Sequence, residues 1–309
     1  MNNKNVVVTG GAGFIGSHLA ETLARQDYEV IVLDDLSTGK LNNLEQCHHE
    51  VEFVEGSITD AVLLSKLFQG VDYVLHLAAI PSVPRSIDTP RASHDVNVTG
   101  TLNVLLAATQ NKVKKVVYAS SSSVYGDTPT LPKNEEMTPR PLSPYAAGKL
   151  AAESYCRVFR EVYQLPTICL RYFNVYGPRQ DPNSQYAAAI PKFISMAREG
   201  KPPVIFGDGE QTRDFTFVRD VVNANIMAMR SDVCGVFNVS RGESITINRL
   251  VELIMEQMGE KTSPVHQEPR KGDIKHSLAD ISKARAFGYE PKHDLQDGLA
   301  ETLKWFNGR

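Results

Sequence analysis

In the first half of the chain, short β-branched and aliphatic runs alternate with longer stretches whose apolar positions recur at helical spacing. The runs 5–9, 29–33, 51–54, 72–77, 115–120 and 167–171 read as strands. Most lack a polar face, the pattern of a parallel sheet covered by helices on both sides. Between them, 15–26, 61–68, 92–111 and 145–163 carry helical periodicity. This βαβ rhythm predicts an α/β fold, a Rossmann-type doubly wound parallel sheet with right-handed crossovers. After Arg171 the rhythm breaks, and proline and glycine crowd in at Gly177-Pro178, Pro202-Pro203 and Gly207-Asp208-Gly209. The expected organisation is a dinucleotide-binding domain over 1–172 and a smaller α/β substrate domain over 173–309. A return segment near 215–240 is expected to give 235–239 back to the first domain as a further strand.

Composition narrows the function. A net charge of −3 with scattered Lys and Arg predicts no nucleic-acid partner, and Lys112, Lys114 and Lys115 read as a solvated helix end. No apolar run approaches the roughly 18 residues of a membrane span. The N-terminus leads directly into a strand without a signal-peptide pattern, so a cytoplasmic protein is expected. Cys47, Cys156, Cys169 and Cys234 are widely spaced, with no CxxC and no His at ligand spacing. They read as reduced thiols, and no metal site is expected.

The segment Thr9-Gly10-Gly11-Ala12-Gly13-Phe14-Ile15-Gly16 follows a strand and opens a helix. Gly10 permits the tight turn, Gly13 lets the backbone approach a pyrophosphate, and Gly16 allows close helix–strand packing. The helix N-terminus then offers N–H groups and positive potential to the phosphates. The next strand closes on Asp34-Asp35. A carboxylate there accepts from the ribose hydroxyls and repels a 2′-phosphate, so the cofactor expected is NAD rather than NADP.

Tyr145 and Lys149 stand at i and i+4 after Ser143-Pro144, which starts a helix, so they share a face. An ammonium one turn from a phenol is expected to lower its pKa and let it act as acid and base. Ser120-Ser121-Ser122-Ser123 follows a strand at the carboxyl edge where such sheets bind ligands, and a hydroxyl there can relay a proton to the tyrosine. Taken alone, Tyr-x-x-x-Lys is ordinary helix-surface chemistry. Its order after a glycine loop and a serine strand end is not.

Together these residues resemble the extended short-chain dehydrogenase/reductases, and among them the UDP-hexose 4-epimerases. The carrying motifs are the glycine loop 10–16, His76-Leu77-Ala78-Ala79, Asn97, the stretch 121–126, Tyr145 with Lys149, and Arg171-Tyr172-Phe173-Asn174. Farther on come Gly207-Asp208-Gly209, Arg213-Asp214 and Arg270-Lys271-Gly272-Asp273. The resemblance spans essentially the whole chain. It implies that Tyr145, Lys149, Ser121 and Ser122 are catalytic. It implies an NAD site formed by Gly10, Gly13, Phe14, Ile15, Gly16, Asp34, Asp35, Ser57, Ile58, Leu77, Ala78, Ala79, Tyr145 and Lys149. Asn97 is expected near the lysine and Phe173 against the nicotinamide. Implied UDP-sugar contacts are Ser121, Arg85, Asn174, Ala188, Arg213, Arg270, Asp273 and Ser277. Ser57 departs from the Asp usual at the adenine position and predicts an altered adenine contact.

The family resemblance also separates sister reactions. Related dehydratases carry an Asp-Glu pair, and decarboxylases a Glu, where Ser122 and Ser123 stand here. A hydroxyl cannot serve as the acid in elimination at neutral pH, which disfavours both. Ser277 occupies a position where glucose-restricted epimerases carry a bulky Tyr, so space for an N-acetyl group is expected. The resemblance ranks UDP-N-acetylglucosamine/UDP-N-acetylgalactosamine first and UDP-glucose/UDP-galactose second. UDP-glucuronate remains an alternative because of Arg85. A non-catalytic NAD- and UDP-sugar-binding protein is the alternative of a different class. Relatives pair the helices 92–111 and 145–163 across a two-fold axis, which implies a homodimer.

Overall fold

The computed structural model describes residues 4–182, 189–269 and 275–308. Seven strands form one parallel sheet: β1 (Asn5–Thr9), β2 (Glu29–Asp34), β3 (Val51–Glu55), β4 (Tyr73–His76), β5 (Lys115–Ser121), β6 (Thr167–Tyr172) and β7 (Gly235–Val239). Their spatial order is β7-β6-β5-β4-β1-β2-β3. The order reverses between β1 and β4, where a crevice opens at the carboxyl ends. The outermost strand on one side, β7, pairs with β6 in parallel after a long excursion of the chain.

Alternation along β1 shows how the sheet is covered. Val6 and Val8 join one core with Leu19 and Leu23 of α1 (Phe14–Ala24) and with Val221 and Ile226 of α8 (Val218–Arg230). Val7 joins the opposite core with Leu64 of α2 (Ala61–Leu67), Val104 and Leu105 of α5 (Thr101–Gln110), and Ala152 and Phe159 of α6 (Pro144–Tyr163). All three valines are fully buried. Both faces of the sheet are therefore dry, which explains the near absence of polar positions in the strands. Asp60 caps α2 and Ser143 caps α6 through their side chains.

Two differences from the periodicity have local causes. The single helix expected over 92–111 is divided into α4 (Pro90–His94), a π segment (Asp95–Gly100) and α5. A π turn inserts an extra residue without ending the helix, which apolar spacing does not register. Before α4, the short helix α3 (Val83–Asp88) is capped by Ser82 and carries Pro84 in its first turn.

Beyond β6 a separate core gathers α7 (Ala189–Arg198), α9 (Ile247–Met258) and α10 (Leu295–Asn307). Its centre is aromatic and aliphatic: Phe193, Ile194, Phe215, Phe217, Leu250, Ile254, Leu299 and Phe306. Short strand pairs connect this body to the sheet edge; Thr216–Phe217 lies parallel to Val175–Tyr176. Among the described residues, no helix is long and apolar enough to cross a membrane.

Candidate active site

The glycine loop is shaped by what a side chain would strike. Gly10 has φ +69°, and a Cβ there would lie 2.7 Å from the Ala78 backbone nitrogen. At Gly16 a Cβ would fall 2.1 Å from the Gly10 carbonyl oxygen. At Gly13 the nearest atom is the Gly10 carbonyl at 3.1 Å, with nothing else within 4 Å. Two glycines thus compress the turn against Leu77-Ala78, and the third leaves its outer side open. Gly13 caps α1 without a side chain, and no acidic residue occupies the first turn. The positive end beginning at Phe14 and Ile15 is left for an anion.

Asp34 is buried at the end of β2, where its carboxylate accepts from Ala12 N at 3.0 Å and Leu36 N at 2.9 Å. Burial raises its pKa, and the Leu36 and Ala12 hydrogen bonds oppose that rise. Asp34 therefore braces the glycine loop while retaining lone pairs. Asp35 is exposed and accepts from Ser37 N. Ser57 accepts from Thr59, and buried Ile58 packs beneath Gly100. Leu77, Ala78 and Ala79 are half-buried just past β4. A cradle closed to Cβ atoms, next to a free helix N-terminus and a strand-end carboxylate, fits a dinucleotide.

At the end of β5, Ser121 lies close enough to the half-buried Tyr145 for its hydroxyl to lower the phenol's pKa. The Ser121 oxygen also accepts from Ser123 N at 3.2 Å. Ser122 and Ser123 begin the next turn half-buried, and the Ser123 hydroxyl is buried without a partner. Lys149, buried one turn below Tyr145, donates to the Ala119 carbonyl at 2.7 Å and lies 4.9 Å from the Tyr118 ring centroid. The expectation that its ammonium lowers the phenol is corrected here. The ammonium is 5.8 Å from the Tyr145 ring centroid and turned toward β5, so burial dominates. Burial pushes the phenol above its ordinary pKa, and the Ser121 hydrogen bond pulls it back. Burial also lowers Lys149 to about 8, with Glu153 foremost among the groups holding it up.

Three further expected residues can be placed, one of them differently from expectation. Asn97, in the π turn, lies beside Lys149 as expected, its Cβ 3.5 Å from where a Cβ on Gly148 would stand. Its Oδ1 accepts from Ile80 N at 2.8 Å and its Nδ2 donates to Ile80 O at 3.3 Å, so it fixes the loop after β4. The wider π turn aims that amide at the loop. Phe173 is fully buried with Val124, Tyr125 and Ala279. Its ring backs the site and cannot face a nicotinamide from there. Arg85 lies half-buried on α3 and is joined to the site through its neighbour Ser86, which accepts from Tyr145 N.

On the far side, Asn174 and Arg213 line a cavity of about 530 Å³ with Tyr176, Phe193, Phe206 and Phe215. Ser277 is half-buried beside it, its N–H donating to Thr212 O at 3.1 Å. Ala188, Arg270 and Asp273 lie outside the described residues.

Two positioning groups, Glu153 and Asp214, were given no role by the sequence. Glu153 forms a buried two-pronged ion pair with Arg171 (2.9 and 2.7 Å) and accepts from the Ser120 hydroxyl. Its signal was available, since it sits one further turn along the Tyr145–Lys149 face. Asp214, fully buried, accepts from Arg241 N, Gly242 N and Ala279 N, which anchors the segment carrying Ser277. Burial raises Asp214 to about 6. That convergence comes from distant segments, and no spacing announces it.

Residues 6–240 match the model of the NAD dependent epimerase/dehydratase family. The UDP-glucose 4-epimerase of Mycolicibacterium smegmatis is 40% identical over 309 residues, covering 98% of each chain. Among solved structures, a UDP-N-acetylglucosamine 4-epimerase from Methanobrevibacter ruminantium, in complex with UDP-N-acetylmuramic acid, is 46% identical. It superposes with a TM-score of 0.97, covering 100% of this chain and 99% of that one. UDP-glucose 4-epimerase from Thermotoga maritima with UDP-glucose is 40% identical, with a TM-score of 0.95 and coverage of 98% and 99%. The glycine cradle, Ser121, Tyr145 and Lys149 all lie within the matched span, and the chain belongs to the NAD dependent epimerase/dehydratase family.

Proposed function

We propose that this protein is an NAD-dependent UDP-sugar 4-epimerase whose first substrate pair is UDP-N-acetylglucosamine and UDP-N-acetylgalactosamine, with UDP-glucose and UDP-galactose second. The observation that carries the reading is the gathering of Tyr145, the Ser121 hydroxyl that lowers its pKa, and buried Lys149 at the carboxyl edge of the sheet beside the glycine cradle. Gly10, Gly13 and Gly16 with the first turn of α1 hold the pyrophosphate, Asp34 the adenosine ribose, and Lys149 the nicotinamide ribose. Bound NAD would supply a hydride acceptor and donor for C4, and its positive charge would favour the ionised phenol.

Tyr145, ionised, takes the proton of the sugar 4-hydroxyl with Ser121 bridging the two oxygens. As that O–H bond breaks, the C4 hydride leaves and a 4-keto sugar remains. The sugar turns about its diphosphate link, Tyr145 returns the proton to the 4-oxygen, and C4 receives hydride on its other face. Asn174 and Arg213 hold the nucleotide diphosphate through this turn, with Arg270 and Asp273 completing the site. The guanidinium geometry suits phosphate oxygens. Ser277 leaves room for the N-acetyl group, and Ala188 is assigned to the same substrate by its sequence stretch. The preference for a neutral sugar over a uronic acid rests on Pro84, which separates Val83 from Arg85.

The domain reading follows the same lines: 1–172 with the returning strand binds NAD, and 173–309 binds the UDP-sugar. Along α6, Tyr155, Val158 and Val162 are exposed at i, i+3 and i+7, with Tyr163 and Leu106 of α5 nearby in sequence or packing. Such a stripe supports pairing of α5 and α6 with a second copy. Light scattering at micromolar concentration checks this, and a monomer there refutes the dimer.

The central test incubates the protein separately with UDP-N-acetylglucosamine, UDP-glucose and UDP-glucuronate and resolves the C4 epimers, with and without added NAD. Fastest conversion of the acetylated sugar is expected. Conversion of none rejects the epimerase reading.

A further inference from the structure

An α-helix leaves its first N–H groups without partners inside the helix, and something else must accept from them. In α6 the cap residue Ser143 accepts from Ala146 N at 3.1 Å, and Pro144 has no N–H to satisfy. The remaining donor is the backbone N–H of Tyr145 itself. It is met from outside the helix, by the hydroxyl of Ser86 at 3.0 Å. Ser86 is fully buried, and its own proton goes to the Val83 carbonyl at 2.6 Å. The Ser86 N–H donates to the Ser82 carbonyl at 3.0 Å, and Ser82 caps α3. Every polar atom of the linkage is therefore committed, and its geometry is set from both ends.

We propose that Ser86 is a positioning residue for the reaction, acting through the main chain of Tyr145. The inference rests on the epimerase reading above. A hydroxyl that fixes the amide of the phenol-bearing residue also fixes where the Cα–Cβ bond starts, and hence the reach of the phenol to Ser121. The cap supplied by Ser143 acts one residue later, on Ala146, and leaves this degree of freedom open. Because Ser86 lies on α3, the same contact ties that helix to the proton-transferring group. Displacement of a reacting group by about 1 Å can cost about 100-fold in rate. Loss of one hydrogen bond that permits a smaller shift is expected to cost about tenfold.

The test compares wild type with Ser86→Ala and Ser86→Thr in the NAD-loaded protein. Measured are kcat, KM for the UDP-sugar, bound NAD per chain, melting temperature, and the deuterium isotope effect with C4-deuterated substrate. For Ser86→Ala, kcat falls about tenfold, equivalent to about 1.4 kcal/mol. KM and NAD content stay within about twofold, and the isotope effect on kcat rises as the chemical step becomes more rate-limiting. Ser86→Thr, which keeps the oxygen, recovers most of the loss. A Ser86→Ala variant that melts earlier but turns over at the wild-type kcat overturns the proposal and leaves Ser86 as a structural cap. Equal loss in Ser86→Ala and Ser86→Thr, with correctly folded protein, also overturns it. A wild type inert toward every UDP-sugar instead overturns the epimerase reading, and this proposal falls with it.

Discussion

The two sides of the crevice are built by different means. On the dinucleotide side the decisive contacts centre on the backbone of the first βα turn: Gly16 against the Gly10 carbonyl, Gly10 against the Ala78 backbone after β4, and Ala12 N held by the Asp34 carboxylate. On the sugar side, Asn174, Arg213 and Ser277 come from three segments, held together by side chains such as Asp214. A turn that tolerates no Cβ can hold only what fits a bare backbone, so it specifies a class of ligand shared by many enzymes. A wall of side chains on short strands can change one residue at a time. The first arrangement constrains the chemistry, and the second is free to set which sugar receives it.

That contrast can be broken at either side. The largest effect is expected at the chemistry between them. Tyr145→Phe keeps the ring and removes the proton carrier, so turnover falls about 10³-fold, within the range for general acid–base groups. NAD content stays at the wild-type level. Unchanged turnover would show that Tyr145 does not carry the proton. Next comes Gly16→Ala, whose Cβ would stand 2.1 Å from the Gly10 oxygen. Stability drops by about 3 kcal/mol, near the upper end for overpacking, and NAD is lost, as denaturation and nucleotide content will show. If alanine there were harmless, the turn would not be backbone-limited.

A smaller effect, confined to specificity, is expected on the sugar side. Ser277→Tyr lowers kcat/KM for UDP-N-acetylglucosamine about tenfold, the scale of a filled pocket, while UDP-glucose is little affected. Equal losses for both sugars would show that Ser277 does not face the N-acetyl group. The smallest sharpening is by pH. Lys149 is lowered to about 8, so its ammonium is retained below that value and lost above it. Turnover should therefore hold up to about pH 7 and decline as pH rises through about 8. A plateau extending to pH 10 would show that the charged lysine is not required.

How much could be read before the fold was seen follows from the same contrast. The strands, the glycine cradle and the Tyr145–Lys149 face were legible because helical and sheet periods place neighbours in sequence beside one another in space. The π turn at Asp95–Gly100 was not, since one extra residue leaves apolar spacing intact while redirecting Asn97 to Ile80. Phe173 was misplaced for a related reason. Its motif identifies the strand end, but only packing against Tyr125 and Ala279 shows that the ring points inward. The pKa argument for Tyr145 failed because helical spacing gives proximity without orientation. The lysine amine reaches past the phenol to the Ala119 carbonyl.

Local order along the chain was enough to specify a doubly wound sheet, a nucleotide-binding turn and a tyrosine–lysine pair, because each is written in residues a few positions apart. The closing of Ser86 onto Tyr145, the Glu153–Arg171 pair and the gathering of three donors on Asp214 required the folded chain. Their partners are separated by 59, 18 and up to 65 positions. Such contacts are selected by burial and by the need to satisfy every polar group removed from water, conditions that exist only once the elements have packed.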